Sequence, residues 1–293
     1  MDEHDFLAEQ FEAHRGHLQA VAYRMLGSLS DAEDAVQESW LRLNRSDVSG
    51  VENLAGWLTA VVAHVCLDML RSRKARRDEP VGWNVPEPST SGRQTDPEHE
   101  AVLADSVGRA LLVVLERLSP AERIAFVLHD MFAVPFDELA PIVGRSSVTT
   151  KKLASRARQR VKGAATVAGA DLAWHRRVVE AFLAASRGRD INGLLAVLDP
   201  GVVRRADAAA LPPGVPTEIR GVEAVVEETL LLAQRARFAE PALVNGAVGI
   251  VVAPHGRLVL ALTLTFRDGK IAEYEVIADP ARLQELDLAV LDS

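Results

Sequence analysis

The chain has 293 residues, 48% of them hydrophobic, with 33 Lys and Arg against 41 Asp and Glu, for a net charge of −8. At about 150 residues per domain this makes roughly two domains, or three small ones, and enough apolar content to exclude wholesale disorder. Cys66 is the only cysteine, which excludes a disulfide framework and a Cys-cluster zinc site; no apolar run approaches the ~18 residues of a membrane helix, and the acidic start Met1 to Asp5 does not suit a signal peptide, so a soluble cytoplasmic protein is expected.

The first 77 residues read as three or four helices. Phe6, Phe11, Leu18, Val21, Ala22 and Met25 recur at helical spacing until Gly27 closes the pattern. Ser30 and Glu33 have the spacing of a capping box for the next helix, whose apolar positions are Ala35, Val36, Trp40, Leu41 and Leu43. Residues 44–50 are polar and form a loop, after which Asn53 can cap a third helix with Trp57, Leu58, Val61, Val62, Val65, Cys66, Met69 and Leu70 on its buried side. That helix runs into Arg71, Arg73, Lys74, Arg76 and Arg77, whereas residues 1–40 hold nine acids against Arg15 and Arg24. Net charge therefore hides a strongly uneven distribution.

Residues 78–98 contain Pro80, Pro86, Pro88 and Pro97, which no helix tolerates, so a linker is expected there. Helical texture resumes over 99–164. Ser119, Pro120 and Glu122 supply an N-cap, a first-turn proline and a capping-box acid. A short helix over Phe136–Val143 stops at Gly144, and a basic helix follows Ser146, with seven cations and no acid between Arg145 and Lys162. Short helix, glycine turn and basic helix make a helix-turn-helix pattern.

After Gly169 the pattern changes again. Helices are expected over 173–188, 190–198 and 221–237, then Leu258, Leu260, Leu262, Leu264 and Phe266 share one strand face. Arg267 to Lys270 is a hairpin turn, residues 270–278 return as a strand, and Asp279-Pro280 opens a last helix. This is an α+β domain with a late antiparallel sheet.

Several of these segments resemble a known family. Tyr23-Arg-Met-Leu-Gly27, Asp31-Ala-Glu-Asp-Ala-Val-Gln-Glu38 and Gly56-Trp-Leu58 look like region 2 of a bacterial extracytoplasmic-function (ECF) sigma factor of the sigma-70 family. Leu118-Ser-Pro-Ala-Glu-Arg123, Phe136-Asp-Glu-Leu-Ala140 and Ala154-Ser-Arg-Ala-Arg158 look like its region 4, so the resemblance covers roughly residues 5–165. Residues 173–290 resemble the SnoaL-like (NTF2-like), cone-shaped α+β fold that one subgroup carries at its C-terminus. Trp83-Asn-Val-Pro-Glu-Pro88 is similar to that subgroup's linker motif, departing at Asn84 and Val85, and Asp207-Ala-Ala-Ala210 stands where the subgroup often has Asp-Gly-Gly-Gly.

The implied architecture is multidomain: two all-α modules, region 2 over 1–78 and region 4 over 99–165, joined by a 79–98 linker and followed by a SnoaL-like domain over 172–293. The resemblance implies core RNA polymerase and promoter DNA as partners, through the β′ clamp helices and the β flap. It places Asp31, Asp34, Gln37 and Glu38 near the surface that docks on the clamp helices. Asn44, Arg45, Ser46 and Asp47, with Arg71, Arg73, Lys74, Arg76 and Arg77, would handle the −10 element by capturing a flipped base and holding the displaced strand. A solvated helix C-terminus is the plainer reading of the 71–77 cluster, but five cations exceed what capping needs. Arg145, Ser147, Thr149, Thr150, Lys151, Lys152 and Arg156 would face the −35 element, with Val148, Leu153 and Ala157 turned inward. Trp40 and Trp57 fit core packing better than base stacking.

In the C-terminal domain Asp207, Glu227, Tyr274, Glu275 and Asp279 are the polar candidates for the cone interior, and His175 and His255 read as surface residues. No paired acid and base and no metal-ligand spacing is visible, so neither catalysis, a cofactor nor a metal is expected. The domain is instead expected to modulate the sigma regions in cis, held beside region 4 by a tether of about ten residues. An anti-sigma factor or a small ligand is a further class of partner. Two other readings compete: a DNA-binding regulator acting without polymerase, and a cyclase- or isomerase-like enzyme fused to a DNA-binding module.

Overall fold

The computed structural model describes residues 3–46, 50–78, 108–166, 168–211 and 214–291. The chain divides into two compact units, one from residues 1–107 and 115–158 and the other from 108–114 and 159–293.

In the first unit the helices are α1 (Glu3–Leu26), α2 (Leu29–Leu43) and α3 (Leu54–Asp78), then, after α4 (Arg109–Glu116), α5 (Pro120–Phe126), α6 (Phe136–Val143) and α7 (Ser147–Lys162). Gly27 ends α1 with a left-handed φ of 73°, and Gly144 ends α6 with φ 72°. The cap of α2 differs from expectation: Ser28, not Ser30, is the N-cap and accepts from the Asp31 amide, so the helix starts two residues earlier than the Ser30–Glu33 box would have it. Asn53 caps α3 as expected, taking the Gly56 amide at 2.9 Å. The Ser119–Glu122 capping box forms in full, and α5 passes into a π-helical turn over Val127–Met131.

Over Leu54–Arg73 α3 is long and apolar enough to cross a membrane by length and composition. Thr59, His64 and Asp68 interrupt its apolar run, and Leu58, Val62, Ala63, Cys66 and Leu67 are buried in the bundle. A core helix accounts for that composition. Burial pushes the Cys66 thiol up to about 12.

The helices before and after the linker segment pack on one another within this unit. Helix α3 lies against α5 and α6. Arg123, buried in α5, donates from Nη1 to the Met25 carbonyl at 2.8 Å and from Nε to the Leu115 carbonyl at 2.6 Å. Phe132 receives the edge of His17 at a 5.3 Å ring separation and the Arg24 guanidinium at 5.2 Å. The Met25 carbonyl is one of the four that an α-helix leaves without an internal partner, and Arg123 satisfies it.

The second unit is an α+β cone. Helices α8 (Gly169–Gly188) and α9 (Ile191–Val197) precede β1 (Leu198–Ala206) and β2 (Glu218–Arg220); α10 (Val222–Leu231) and α11 (Ala233–Ala236) precede β3 (Ala239–Val244), β4 (Ala247–Val252), β5 (Leu260–Arg267) and β6 (Lys270–Ile277); α12 (Pro280–Glu285) and β7 (Leu288–Ala289) close the chain. The seven strands form one sheet in the order β2-β1-β6-β5-β4-β3-β7. Every neighbouring pair is antiparallel except β1 with β6, which is parallel. The sheet therefore begins at residue 198, where a helix end was expected, and is not antiparallel throughout. The expected 221–237 helix is two pieces that break at Leu232.

Two turns set the strand register. Asp268 and Gly269, with φ 46° and 88°, make the expected turn between β5 and β6; Asn245 and Gly246, with φ 52° and 77°, make the same kind between β3 and β4. Val178, Val179, Phe182 and Leu183 of α8 pack against Val248, Ile250, Leu262 and Tyr274 of the sheet.

From Gln159 on the chain belongs to the second unit and is bonded to that unit's own sheet. The Val290 amide donates to the Val161 carbonyl and the Thr166 amide to the Gly246 carbonyl, both at 2.8 Å. Gly163 has φ 59°, and a Cβ there would lie 2.3 Å from Cβ of Ala289. The end of the basic helix is thus fixed against the sheet edge by hydrogen bonds and a close approach that only glycine permits.

Candidate functional site

The acidic face of α2 is only partly open. Asp34 and Gln37 are exposed, Glu38 is paired with Arg42 one turn on at 3.1 Å, and Asp31 is paired with Arg73 of α3. Arg73 also donates to the Leu26 carbonyl at 3.3 Å. One expected polymerase contact and one expected DNA contact thus neutralise each other, tying α3 to the α1–α2 corner. The guanidinium and carboxylate make their strongest interaction with each other, while both side chains stay about one third exposed.

Asn44, Arg45 and Ser46 are exposed just past the end of α2, and Arg71 is exposed on α3. Asp47 lies outside the described residues, as do the side chains of Lys74, Arg76 and Arg77. Trp40 is half-buried, its ring 5.0 Å from Phe11, as a packing role requires.

Helix α7 starts with Ser146, whose hydroxyl accepts the Thr149 amide. Thr149, Lys151, Lys152 and Arg156 are exposed, Arg145 is exposed in the turn before it, and Ser147 is half-buried. Lys151 lies 5.7 Å from the Phe136 ring centre, and Arg158 is held by Asp130. Two positions are exchanged relative to expectation. Thr150 is fully buried and donates back to the Ser146 carbonyl at 3.0 Å, so it presents nothing to a base edge; Val148 is 64% exposed. Ala154 and Ala157 carry the buried face with Thr150, four and seven residues on, which is the helical repeat that places Val148 outside.

In the second unit a cavity of about 100 Å³ opens between α8, α10 and the sheet. Tyr274 lines it as expected, and burial pushes its hydroxyl up to about 12. The other expected polar residues do not. Glu227 is exposed; Glu275 pairs with Arg282; Asp279 caps α12. Asp207 accepts the Ala278 and Asp279 amides, each at 3.0 Å, and pairs with Arg282. Ala208–Ala210 then form a right-handed 3₁₀ turn, which alanine adopts without strain. His175 is half-buried, not on the surface, stacked 4.0 Å from Phe266; the His255 side chain lies outside the described residues.

Burial would raise the Asp207 carboxyl, but the two amides and the Arg282 guanidinium outweigh it and hold the group below the usual carboxylate range. A depressed folded value stabilises the fold above the unfolded value of about 4 and loses that contribution as pH falls through the folded one. The C-terminal unit should therefore lose stability as acid is added below about pH 4, and Asp207→Asn should flatten that dependence. Urea midpoints at pH 5 and pH 3 test it; equal pH sensitivity in both proteins would contradict the assignment.

The sequence reading missed the charged pair inside the cone. Arg204, 1% exposed, donates from Nε to Oε2 of Glu228 at 2.7 Å, from Nη2 to Oε1, and from Nη1 to the Pro216 carbonyl at 2.9 Å. The strand alternation holds the signal. Val202 and Arg204 fall on one face of β1, and Arg204 pairs in register with inward Tyr274.

The chain matches Sigma-70 region 2 over residues 10–76 and Sigma-70 region 4 over residues 108–161. It is 34% identical to the probable ECF RNA polymerase sigma factor SigI of Mycobacterium tuberculosis over 98% of each chain. It is 40% identical to the ECF RNA polymerase sigma factor SigJ of the same organism over 92% of this chain and 91% of that one. Among solved structures, that of the M. tuberculosis SigJ aligns over 94% of this chain and 98% of its own, at 35% identity and a TM-score of 0.45.

Proposed function

This chain belongs to the extracytoplasmic-function sigma factor family, and from that premise we propose how its surfaces divide the work of promoter recognition. As a sigma factor it binds core RNA polymerase and directs it to promoters for transcription initiation. We assign residues 1–78 to polymerase and the −10 element, 99–165 to the −35 element, and 172–293 to regulation in cis. Asp34, Gln37 and the partly open Glu38 meet the β′ clamp helices. Asn44, Arg45, Ser46 and Arg71 meet the melted −10 strand. Arg145, Thr149, Lys151, Lys152 and Arg156 meet the −35 duplex, where region 4 also meets the β flap. The observation that carries this reading is the exposed basic face of α7, free of acids along its length, set one glycine turn after α6.

We assign no reaction to the C-terminal unit. Its buried Arg204 and Glu228 are closed on one another, which supports a structural role over proton transfer.

A compact body of about 150 residues measures roughly 40 Å across. Elements about 25 base pairs apart are separated by about 85 Å of duplex at 3.4 Å per step. The packing of region 2 on region 4 therefore describes a closed form that must open before both elements are held at once.

Reversing two charges on α7, Lys151→Glu with Lys152→Glu, should cut promoter-dependent transcription by about tenfold or more and lower the salt slope of promoter binding by about 2. Binding to core polymerase should be unchanged in gel filtration. A variant with normal promoter output would remove α7 from the −35 reading. Failure of the full-length protein to comigrate with core polymerase would favour a regulator that acts on DNA alone.

A further inference from the structure

The cone interior is a cavity whose walls and mouth differ in character. Phe182, Ile250, Val252, Leu260 and Leu262 make its walls apolar. The charged residues deep inside, Arg204 and Glu228, cancel: both carboxylate oxygens accept from the one guanidinium, whose remaining arm is on the Pro216 carbonyl. A charged group carried into that interior would find no free counter-charge, at a cost of several kcal/mol that a neutral apolar group avoids. The volume, about 100 Å³, is of the order of the ~150 Å³ apolar cavity that takes up benzene. One ring or a chain of similar bulk fits.

The mouth carries the opposite instruction. Arg235 lines both this cavity and a second, larger hollow beside it, together with Ala210, Val252 and Leu260, so it stands where the two adjoin. Its side chain is exposed and donates to the Ala210 carbonyl at 3.1 Å, and no carboxylate among the described residues pairs with it. Arg237 adds a second exposed cation to that larger hollow, its guanidinium 4.3 Å from the Phe238 ring centre. A guanidinium with free N–H groups at the lip of a largely apolar cavity matches a carboxylate at the end of an apolar body.

We propose that the C-terminal unit binds a small monocarboxylic acid, its apolar body inside the cone beside Tyr274 and its carboxylate on Arg235. The inference stands on the cone alone and is independent of how the helical unit meets polymerase or DNA, so a direct binding measurement reads it separately.

The test is calorimetric titration of the full-length protein with 3-phenylpropionate, hexanoate and octanoate, each beside its neutral alcohol, with acetate as the acid lacking a body. At least one of the longer acids should bind, at least tenfold more tightly than its alcohol, a ratio expected of one charge-assisted contact; acetate should not bind. Arg235→Gln, a surface change that leaves the core intact, should reduce the acid to the affinity of the alcohol. Leu262→Phe, which fills the cavity, should abolish both. Equal binding of acid and alcohol, acid binding untouched by Arg235→Gln, or no uptake of any of the three acids by the folded protein would each overturn the proposal.

Discussion

Replacing Arg204 with methionine is expected to destabilise the C-terminal unit by about 3 kcal/mol, the cost of leaving a largely buried carboxylate without its partner. Arg204 is among the largest fully buried side chains of the protein, and both oxygens of Glu228 rest on it. The single substitution also frees the Pro216 carbonyl. Removing both charges, with Arg204→Met and Glu228→Leu, should recover most of the loss, because well-packed apolar residues replace a buried ion pair at little or no net cost. Hydrogen exchange read peptide by peptide localises the effect. Amides of β1 and β6 should exchange about a hundredfold faster or more in the single variant, while those of α1–α3 keep their protection. If the single variant matches the parent, Glu228 finds another partner and the pair does not anchor the sheet.

Most of the helical unit was legible because its signals are local. Gly27, Asn53, Ser119 and Gly144 each end or start a helix by a rule that needs no tertiary partner. Ser30 misled because Ser28, two residues earlier, has the same chemistry and takes the cap first. The exchange of Val148 and Thr150 has another origin. Hydrophobicity alone assigns valine inward, but Thr150 satisfies its hydroxyl on the Ser146 carbonyl and can then be buried without penalty. Polarity was a poor guide wherever a side chain could close a hydrogen bond on its own helix.

The sheet was harder, and for a reason that its strands share. Strand β1 begins with Leu198-Asp-Pro-Gly201, residues that read as a turn, and its register with β6 shifts between Leu198 and Val203. Its parallel partner lies some seventy positions downstream, so no local pattern announces the pairing. The β3–β4 hairpin was available from Asn245-Gly246, whose two positive φ values are what a two-residue hairpin demands. Its flanking residues, 239–252, are nearly all apolar, and a continuous apolar run lacks the alternation that marks β5. Arg204, Arg73 and Arg123 were hidden together. Each is a cation that a sequence assigns to solvent, and each instead caps carbonyls or carboxylates brought from elsewhere in the chain. Arg123 gives no local sign of its role, since its partner, the Met25 carbonyl, lies 98 residues earlier in the chain.

That partner makes Arg123→Met the sharpest test of the closed form. The substitution removes two charge-assisted bonds, leaves the Met25 carbonyl without the guanidinium and leaves the Leu115 carbonyl with only the Leu118 amide, a loss of about 2–3 kcal/mol to the helical unit. The bond to Met25 joins region 4 to region 2, so part of that loss favours separation of the two over unfolding of either. The separation can be followed by energy transfer between dyes on His64→Cys in α3 and Ser155→Cys in α7, both exposed positions. Cys66, buried and with its thiol pushed up to about 12, stays out of the labelling. In the parent protein transfer should be efficient in the free state and fall when core polymerase and promoter DNA are added together. In the Arg123→Met variant the free protein should already show reduced transfer and should form the promoter complex several-fold faster, despite its lower stability. A variant that is less stable yet keeps the parent's transfer efficiency and binding rate would show that the packing of region 2 on region 4 persists in the working complex, and the requirement for opening would fall with it.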